Sequence, residues 1–195
     1  MHTGYRYMNG KSTGILTHSD VEENITIREA TKEDFSAVLQ FIELVDSEFC
    51  PPLSQRGGGI YERVRNTLAT PDANYLIVQT KNPDPSDKIY GFLAIVGCTR
   101  GWHGRDRAYI NFFATHPAYR KAGLGEILLA ELERKLLEKG IDKLYLCTWT
   151  GNKKAMRFYD KLGYSIYSVI LNDRGRNINT FNYRKKIEPA KSAKQ

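Results

Sequence analysis

Apolar positions along this chain change period several times, and each change predicts an element. From Asn24 to Ala30, Ile25 and Ile27 alternate with polar neighbours, which marks a short strand. Thr31, with Asp34 three residues on, reads as a capping box ahead of Phe35, Val38, Leu39, Ile42 and Val45. Those spacings predict an amphipathic helix that Pro51 and Pro52 should stop. A weaker helical stretch spans about Ile60 to Leu68, behind a loop of Gly57, Gly58 and Gly59. Tyr75 to Thr80 and Ile89 to Cys98 read as two strands around the turn cluster Asn82 to Asp87, an antiparallel hairpin. Ala108 to Thr115 is a third strand, closed by Pro117. Leu124, Ile127, Leu128, Leu132, Leu136 and Leu137 then restore a helical period, with Gly140 at the stop.

Leu144 to Trp149 carries little polar interruption, as a strand covered on both faces does. Asn152 to Leu162 is a short helix ending at Gly163, and Tyr164 to Leu171 and Asn177 to Ile187 close the chain as strands. The order is strand, two helices, three strands, helix, strand, helix, two strands. It predicts one α/β domain of mixed α+β type around a mixed sheet, and not a regular doubly wound fold, because three strands run in succession without a helix. Residues 1–23 show no sustained period and read as a flexible tail, and residues 189–195 as a second one. The domain is expected over residues 24–188.

Composition narrows the classes. With 195 residues, 41% apolar and 26% charged, the chain suits one globular domain. Its longest apolar run, Phe92 to Val96, is far short of the ~20 residues that span a bilayer, and no secretory leader opens the chain. Cys50, Cys98 and Cys147 are odd in number and never form a CxxC pair, which argues against a disulfide framework or a thiolate metal site. A reducing cytoplasm and no metal are expected. The 29 Lys and Arg outnumber the 22 Asp and Glu, for a formal net charge of +7. That surplus favours an anionic partner: nucleic acid, an anionic membrane or a phosphorylated cofactor. The basic residues scatter and no aromatic-rich RNA motif accompanies them, so neither a nucleic acid nor a membrane is expected.

The segment Arg120-Lys121-Ala122-Gly123-Leu124-Gly125 lies between a strand and the strongest helix. Its glycines allow close approach, and the free N–H groups of the helix's first turn point at whatever sits above them, which makes an anion cradle. Arg120 and Lys121 oppose the helix dipole there, a conflict that an anionic ligand would remove. The plainer alternative is a Gly-rich turn whose cations face solvent. The dinucleotide fingerprint does not apply, since its third glycine falls at Leu128. Gly57 to Gly59 lack the Lys-Ser/Thr ending of a phosphate-binding Walker loop.

The run from His116 to Leu129, with Arg120-x-x-Gly123-x-Gly125, resembles the signature of the GCN5-related N-acetyltransferases. Asn152-Lys-Lys-Ala155-Met-Arg-Phe158-Tyr159-Asp-Lys-Leu-Gly163-Tyr164 resembles their second block, with Tyr164 in place of the usual Phe. The resemblance spans about Ile25 to Ile187. It implies a mostly antiparallel sheet of about seven strands, splayed between the fourth and fifth, with about four helices. It also implies acetyl-CoA as co-substrate. Residues Arg120, Lys121, Ala122, Gly123, Leu124, Gly125 and Glu126 would hold the pyrophosphate, and Thr115 the pantetheine amide. The N–H of Phe113 would bond the thioester oxygen as an oxyanion hole.

Asn152 would cap its helix and touch the cofactor. Tyr159 would protonate the departing sulfur, although by its residues alone it equally packs a helix on the sheet. Tyr109 stands where relatives often carry a Glu base. Glu43, Asp46 and Glu48 are substitutes, each also readable as a solvated helix face, and His116 reads as structural. Trp102 and His103 are either substrate contacts or an exposed turn. The first helix pair, Gly57 to Gly59 and the Asn172 to Arg176 turn would wall the acceptor site. The implied activity is direct attack of a primary amine on acetyl-CoA, with the acceptor open among a peptide N-terminus, a lysine, an amino acid and a small amine. An acyl-CoA-binding sensor of the same fold stands as the alternative, and a homodimer leaves no mark either way.

Overall fold

The structure, a computed structural model, describes residues 23–84, 86–89 and 91–189; both proposed tails lie almost wholly outside them. The first strand, β1 (Ile25–Glu29), hands over to the first helix through one carboxylate. Asp34 accepts from the Thr31 N–H at 2.8 Å, and its two oxygens take the Arg28 guanidinium at 2.7 Å each. This reach-back bond starts a single 3-10 turn, after which α1 runs over Phe35–Val45. The helix ends well before Pro51: Asp46–Glu48 tighten into another 3-10 turn, and the prolines follow it. The second helix, α2, is Gly59–Ala69, so the last of the three glycines belongs to the helix rather than to the loop.

Strands β2 (Ala73–Thr80), β3 (Phe92–Arg100) and β4 (Arg107–Thr115) form the predicted succession. They are followed by α3 (Leu124–Glu138), β5 (Lys143–Trp149), α4 (Lys153–Lys161), β6 (Ser165–Ile170) and β7 (Thr180–Lys186). The sheet order is β1-β2-β3-β4-β5-β7-β6, antiparallel throughout except for the parallel pair β4 and β5. The last strand inserts beside β5, which leaves β6 at the edge with exposed side chains on both faces.

Two cores follow from strand alternation. Leu76 and Val78 meet Leu124, Leu128, Leu132 and Leu136 of α3 on one face. Their neighbours Tyr75 and Ile77 meet Val38, Phe41, Ile42 and Val64 of α1 and α2 on the other. Each fully buried side chain of this size contributes about 1.5–3 kcal/mol, so the helices are held mainly by these stripes.

Two irregularities in β4 break that regularity. Gly97 pairs with Phe112 while Cys98 pairs with Ile110, which leaves Asn111 as an extra residue, a β-bulge. The bulge swaps faces. Ala108 and Ile110 lie in the α3 core, Phe112 lies in the α1 and α2 core, and Phe113 turns back to the α3 side. Gly97 makes it possible, because a Cβ there would sit 2.6 Å from Asn111 Oδ1 and 2.9 Å from Tyr75 Cε1. The second irregularity is the end of the β4–β5 ladder at Ile110 and Leu146. Beyond it β5 stays paired with β7 as far as Trp149, while β4 stays paired with β3 alone as far as Thr115. The two strands therefore splay, as the resemblance implies.

Candidate active site

Strand parity fixes where the freed backbone points. His116 N–H donates to Leu93 C=O at 2.8 Å, so residue 116 faces β3. Successive residues alternate, and Phe113 and Thr115 therefore turn their N–H and C=O groups away from β3, into the splay. The Thr115 carbonyl accepts there from Arg120 Nε at 3.4 Å. Phe113 has its ring stacked on Phe158 at 5.6 Å and lies 6.4 Å from the Tyr159 ring. The strand end, α4 and the glycine segment thus converge.

The glycine segment has the backbone of a cradle. Gly123 precedes α3 with φ +78°, and its carbonyl receives the N–H of Glu126 at 3.0 Å and of Ile127 at 3.1 Å. The amides of Leu124 and Gly125, in the helix's first turn, have no helical partner and face outward. Lys121 has φ +69°, a conformation that costs an ordinary side chain about 1–3 kcal/mol and that gathers at functional sites. Gly125 lies under the aromatic pair: a Cβ there would come within 3.1 Å of Phe113 Cζ and 3.2 Å of Phe158 Cζ. The segment and the strand end thus form a continuous track of unpaired amides, which suits an extended ligand with a polar arm and an anionic tail.

The side chains of that segment are partly engaged. Arg120 reaches back to Glu48 after α1 at 2.5 Å, and Glu126 pairs with Lys161 of α4 at 2.7 Å. Asn152 caps α4, its Oδ1 accepting from the Ala155 N–H at 3.2 Å. Tyr159 is 6% exposed, with its ring among Phe113, Tyr164 and Tyr183. Burial holds its phenol well above the ordinary range, so it keeps its proton at neutral pH.

The base candidates divide. Tyr109 lies against Trp102 at 5.0 Å, and burial together with neighbouring Cys147 drives its phenol far up, which removes it as a base. Asp46 holds the Ser54 N–H and hydroxyl, Glu48 holds Arg120, and neither points to the splay by any bond. Glu43 stays on the exposed face of α1. His116 accepts from the Ala118 N–H at 3.2 Å, and burial lowers its pKa. Trp102 and His103 meet edge to face, with Trp102 also against Tyr145, so this turn packs an aromatic cluster on the sheet.

The segments expected to wall the acceptor site included the Asn172 to Arg176 turn, but the side chains that meet there were not legible. Leu144 and Leu146 belong to the α3 core, which sends Cys147 and Trp149 to the opposite face of the splay. There Phe49 stacks on Phe112 at 5.4 Å and lies 6.4 Å from Trp149. Arg174, from the β6–β7 turn, enters the same space. It donates to the Cys50 carbonyl, to Thr180 Oγ1 at 2.9 Å and to Cys147 Sγ at 3.2 Å, and it lies 5.5 Å over Trp149. Arg56 donates to the Pro51 carbonyl at 2.8 Å. Burial, then the charges of Arg174 and Arg63, lower its pKa. These residues are separated by 124 positions along the chain in the Arg174–Cys50 pair, and only folding brings them together.

A splayed mixed sheet with a glycine cradle at the start of the helix after β4 defines an acyl-CoA-dependent transferase fold. The chain belongs to the acetyltransferase (GNAT) family, whose model matches residues 42–164. It is 26% identical over 175 residues to an amino-acid acetyltransferase of Pasteurella multocida, covering 89% of this chain and 35% of that protein. The chain spans about a third of the length of such curated relatives. Among solved structures it resembles the ribosomal-protein-S18-alanine N-acetyltransferase of Escherichia coli, with TM-score 0.66, 19% identity and coverage of 88% and 99%. An aminoglycoside 6′-N-acetyltransferase complexed with coenzyme A has the same TM-score, 0.66, at 17% identity, covering 86% of this chain and 99% of that one. These likenesses establish the fold. No helix among the described residues is long and apolar enough to cross a membrane.

Proposed function

We propose that residues 24–188 form an N-acetyltransferase domain that moves the acetyl group of acetyl-CoA to a primary amine by direct attack. The observation that carries this reading is the splay, where the Phe113 and Thr115 amides are freed between the glycine cradle and Tyr159. Residues 120–126 bind the pyrophosphate with their backbone amides and the cations of Arg120 and Lys121. Thr115 aligns the pantetheine arm, and Asn152 holds the start of α4 beside it. The Phe113 N–H stabilises the charge that grows on the thioester oxygen as the amine attacks. A bond forms from amine nitrogen to carbonyl carbon, and the carbon–sulfur bond breaks. The Tyr159 hydroxyl donates its proton to the leaving sulfur, while the amine proton passes to solvent, since Tyr109 stays protonated.

Tyr109 also supports a second reading, a sensor that binds acyl-CoA without turnover. Titration calorimetry with acetyl-CoA, followed by thiol release over an amine panel, tests both. Saturable binding that weakens in Arg120→Gln, with thiol release, supports the enzyme. Binding without release for any amine supports the sensor, and no binding by folded protein refutes the donor assignment.

A further inference from the structure

On the face of the splay opposite the cradle, three arginines gather: burial and the charges of Arg174 and Arg63 lower the pKa of Arg56, and the Asp46 carboxylate opposes them only weakly. Among the described residues, Arg56, Arg63 and Arg174 take part in no ion pair although each is partly buried, whereas the other arginines without one, Arg105, Arg157, Arg176 and Arg184, are exposed. The acids beside them are turned to hydroxyls. Asp46 binds Ser54 Oγ at 2.5 Å, and Asp173 accepts from Thr180 Oγ1 at 2.6 Å. All three arginines are partly buried, and Arg63 Nε is fully enclosed with no hydrogen-bond partner. Partly desolvated like charges facing one another are unfavourable unless an anion joins them. Their location decides what that anion belongs to. Arg174 touches Cys147 at the point where β4 and β5 part, on the side walled by Phe49 and Trp149. A donor held by α3 and α4 reaches the splay from one face, so its acceptor enters from this other one.

We propose that Arg174, with Arg56 and Arg63, binds an oxyanion carried by the acceptor, so that the substrate is an amino-carboxylate and not a polyamine, a lysine side chain or a neutral amine. This rests on the N-acetyltransferase reading. A guanidinium fork pairs with two oxygens in one plane; Arg174 spends Nε on Thr180 Oγ1 and its two terminal nitrogens on the Cys50 carbonyl and the Cys147 sulfur, and a carboxylate would displace those last two, neutral and weaker, partners. A phosphoryl group offers the same oxygens, and the test separates the two.

Thiol release from acetyl-CoA is measured with the full-length chain on the twenty amino acids, the carboxamides of those that react, O-phosphoethanolamine and spermidine. The expected result is one or more amino acids preferred over their own carboxamides by about ten- to a hundredfold in kcat/KM, the scale of one charge-assisted pair. Arg174→Gln should remove that preference by raising KM for the acid while leaving the carboxamide unchanged. Arg174→Lys should restore it in part. Arg56→Gln gives a second variant if the β6–β7 turn depends on Arg174. Equal rates for acid and carboxamide, or preference for spermidine, overturn the proposal. Preference for O-phosphoethanolamine over every amino acid overturns the carboxylate in favour of phosphate. If acetyl-CoA binds but no amine reacts, the enzyme reading fails by itself. The anion site is then read by calorimetric titration of the twenty amino acids into the CoA-saturated protein. Binding that Arg174→Gln abolishes upholds it, and no binding refutes it.

Discussion

The bulge at Asn111 should be the most sensitive element of the site that touches no ligand, and Gly97→Ala tests it. Gly97 has an ordinary extended backbone, so alanine would gain about 0.4–1 kcal/mol by restricting the unfolded chain. Against this, the new Cβ would lie 2.6 Å from Asn111 Oδ1 and 2.9 Å from Cε1 of Tyr75, whose ring is fully buried. Asn111 can move only by losing its 3.0 Å bond to Thr99 Oγ1, and the Tyr75 ring has no room. Overpacking of this kind costs about 1–3 kcal/mol, for a net loss of about 1–2 kcal/mol. At roughly 2–4 °C per kcal/mol for a chain of this size, Tm should fall by about 2–8 °C in differential scanning calorimetry. The functional effect is larger. The bulge sets the face of Phe113, and a displacement near 1 Å of a positioning group can lower turnover about a hundredfold. The double variant Gly97→Ala with Asn111→Ala removes the nearer clash and keeps the Tyr75 one, so it should recover part of Tm, with a coupling of about 0.5–1 kcal/mol. Unchanged or raised Tm with full thiol release in Gly97→Ala would refute the reasoning. A fall in Tm with full activity would show that the bulge serves packing alone.

Tyr159→Phe should lower kcat about a hundredfold with nearly unchanged acetyl-CoA affinity by calorimetry. Because burial raises this phenol, the alkaline fall of kcat should not begin below its ordinary pKa of about 10. Arg120→Gln should change stability by less than about 1 kcal/mol, since its pair with Glu48 is partly exposed, yet weaken acetyl-CoA binding about tenfold. Glu48→Gln should bind acetyl-CoA as tightly or more tightly, because it releases Arg120; weaker binding would reassign Glu48 to the site. His116 has a folded pKa below its unfolded one, so the unfolded chain binds more protons and stability is lost as pH falls below about 6.5. His116→Asn should flatten the fall of Tm between pH 7 and 5, and an unaltered slope would assign it to other groups.

The sequence carried what local chemistry encodes. Every strand and helix was legible because its apolar period is short-range, and the cradle was legible because Gly123 must adopt φ +78° next to a helix start. Helix ends were less legible. Pro51 marks where a helix cannot continue, but α1 already stops at Val45, where Asp46 turns its carboxylate to Ser54 instead of continuing the helix. The swap of β6 and β7 in the sheet was not legible at all, since two consecutive antiparallel strands have the same local pattern in either order.

The parts of the site that decide specificity are the long-range ones. A one-residue slip at Asn111 leaves no trace in a period-2 pattern, because the residues on both sides of β4 are apolar: Ile110 and Phe112 read as one face although they lie in different cores. The pair Arg120–Glu48 spans 72 residues, and Arg174–Cys50 spans 124. Such contacts depend on where three loops end, not on any motif within them. This explains an asymmetry in the molecule. In the proposed reading, donor binding rests on backbone amides whose placement a short glycine motif sets, so it can be read from the chain. Acceptor recognition, as proposed, would rest on side chains from the α1–α2 segment, β5 and the β6–β7 turn, which come together only after the sheet has splayed. A change that leaves both motifs intact, such as Arg174→Gln, can therefore alter which amine is accepted while the donor site and the fold stay as they are.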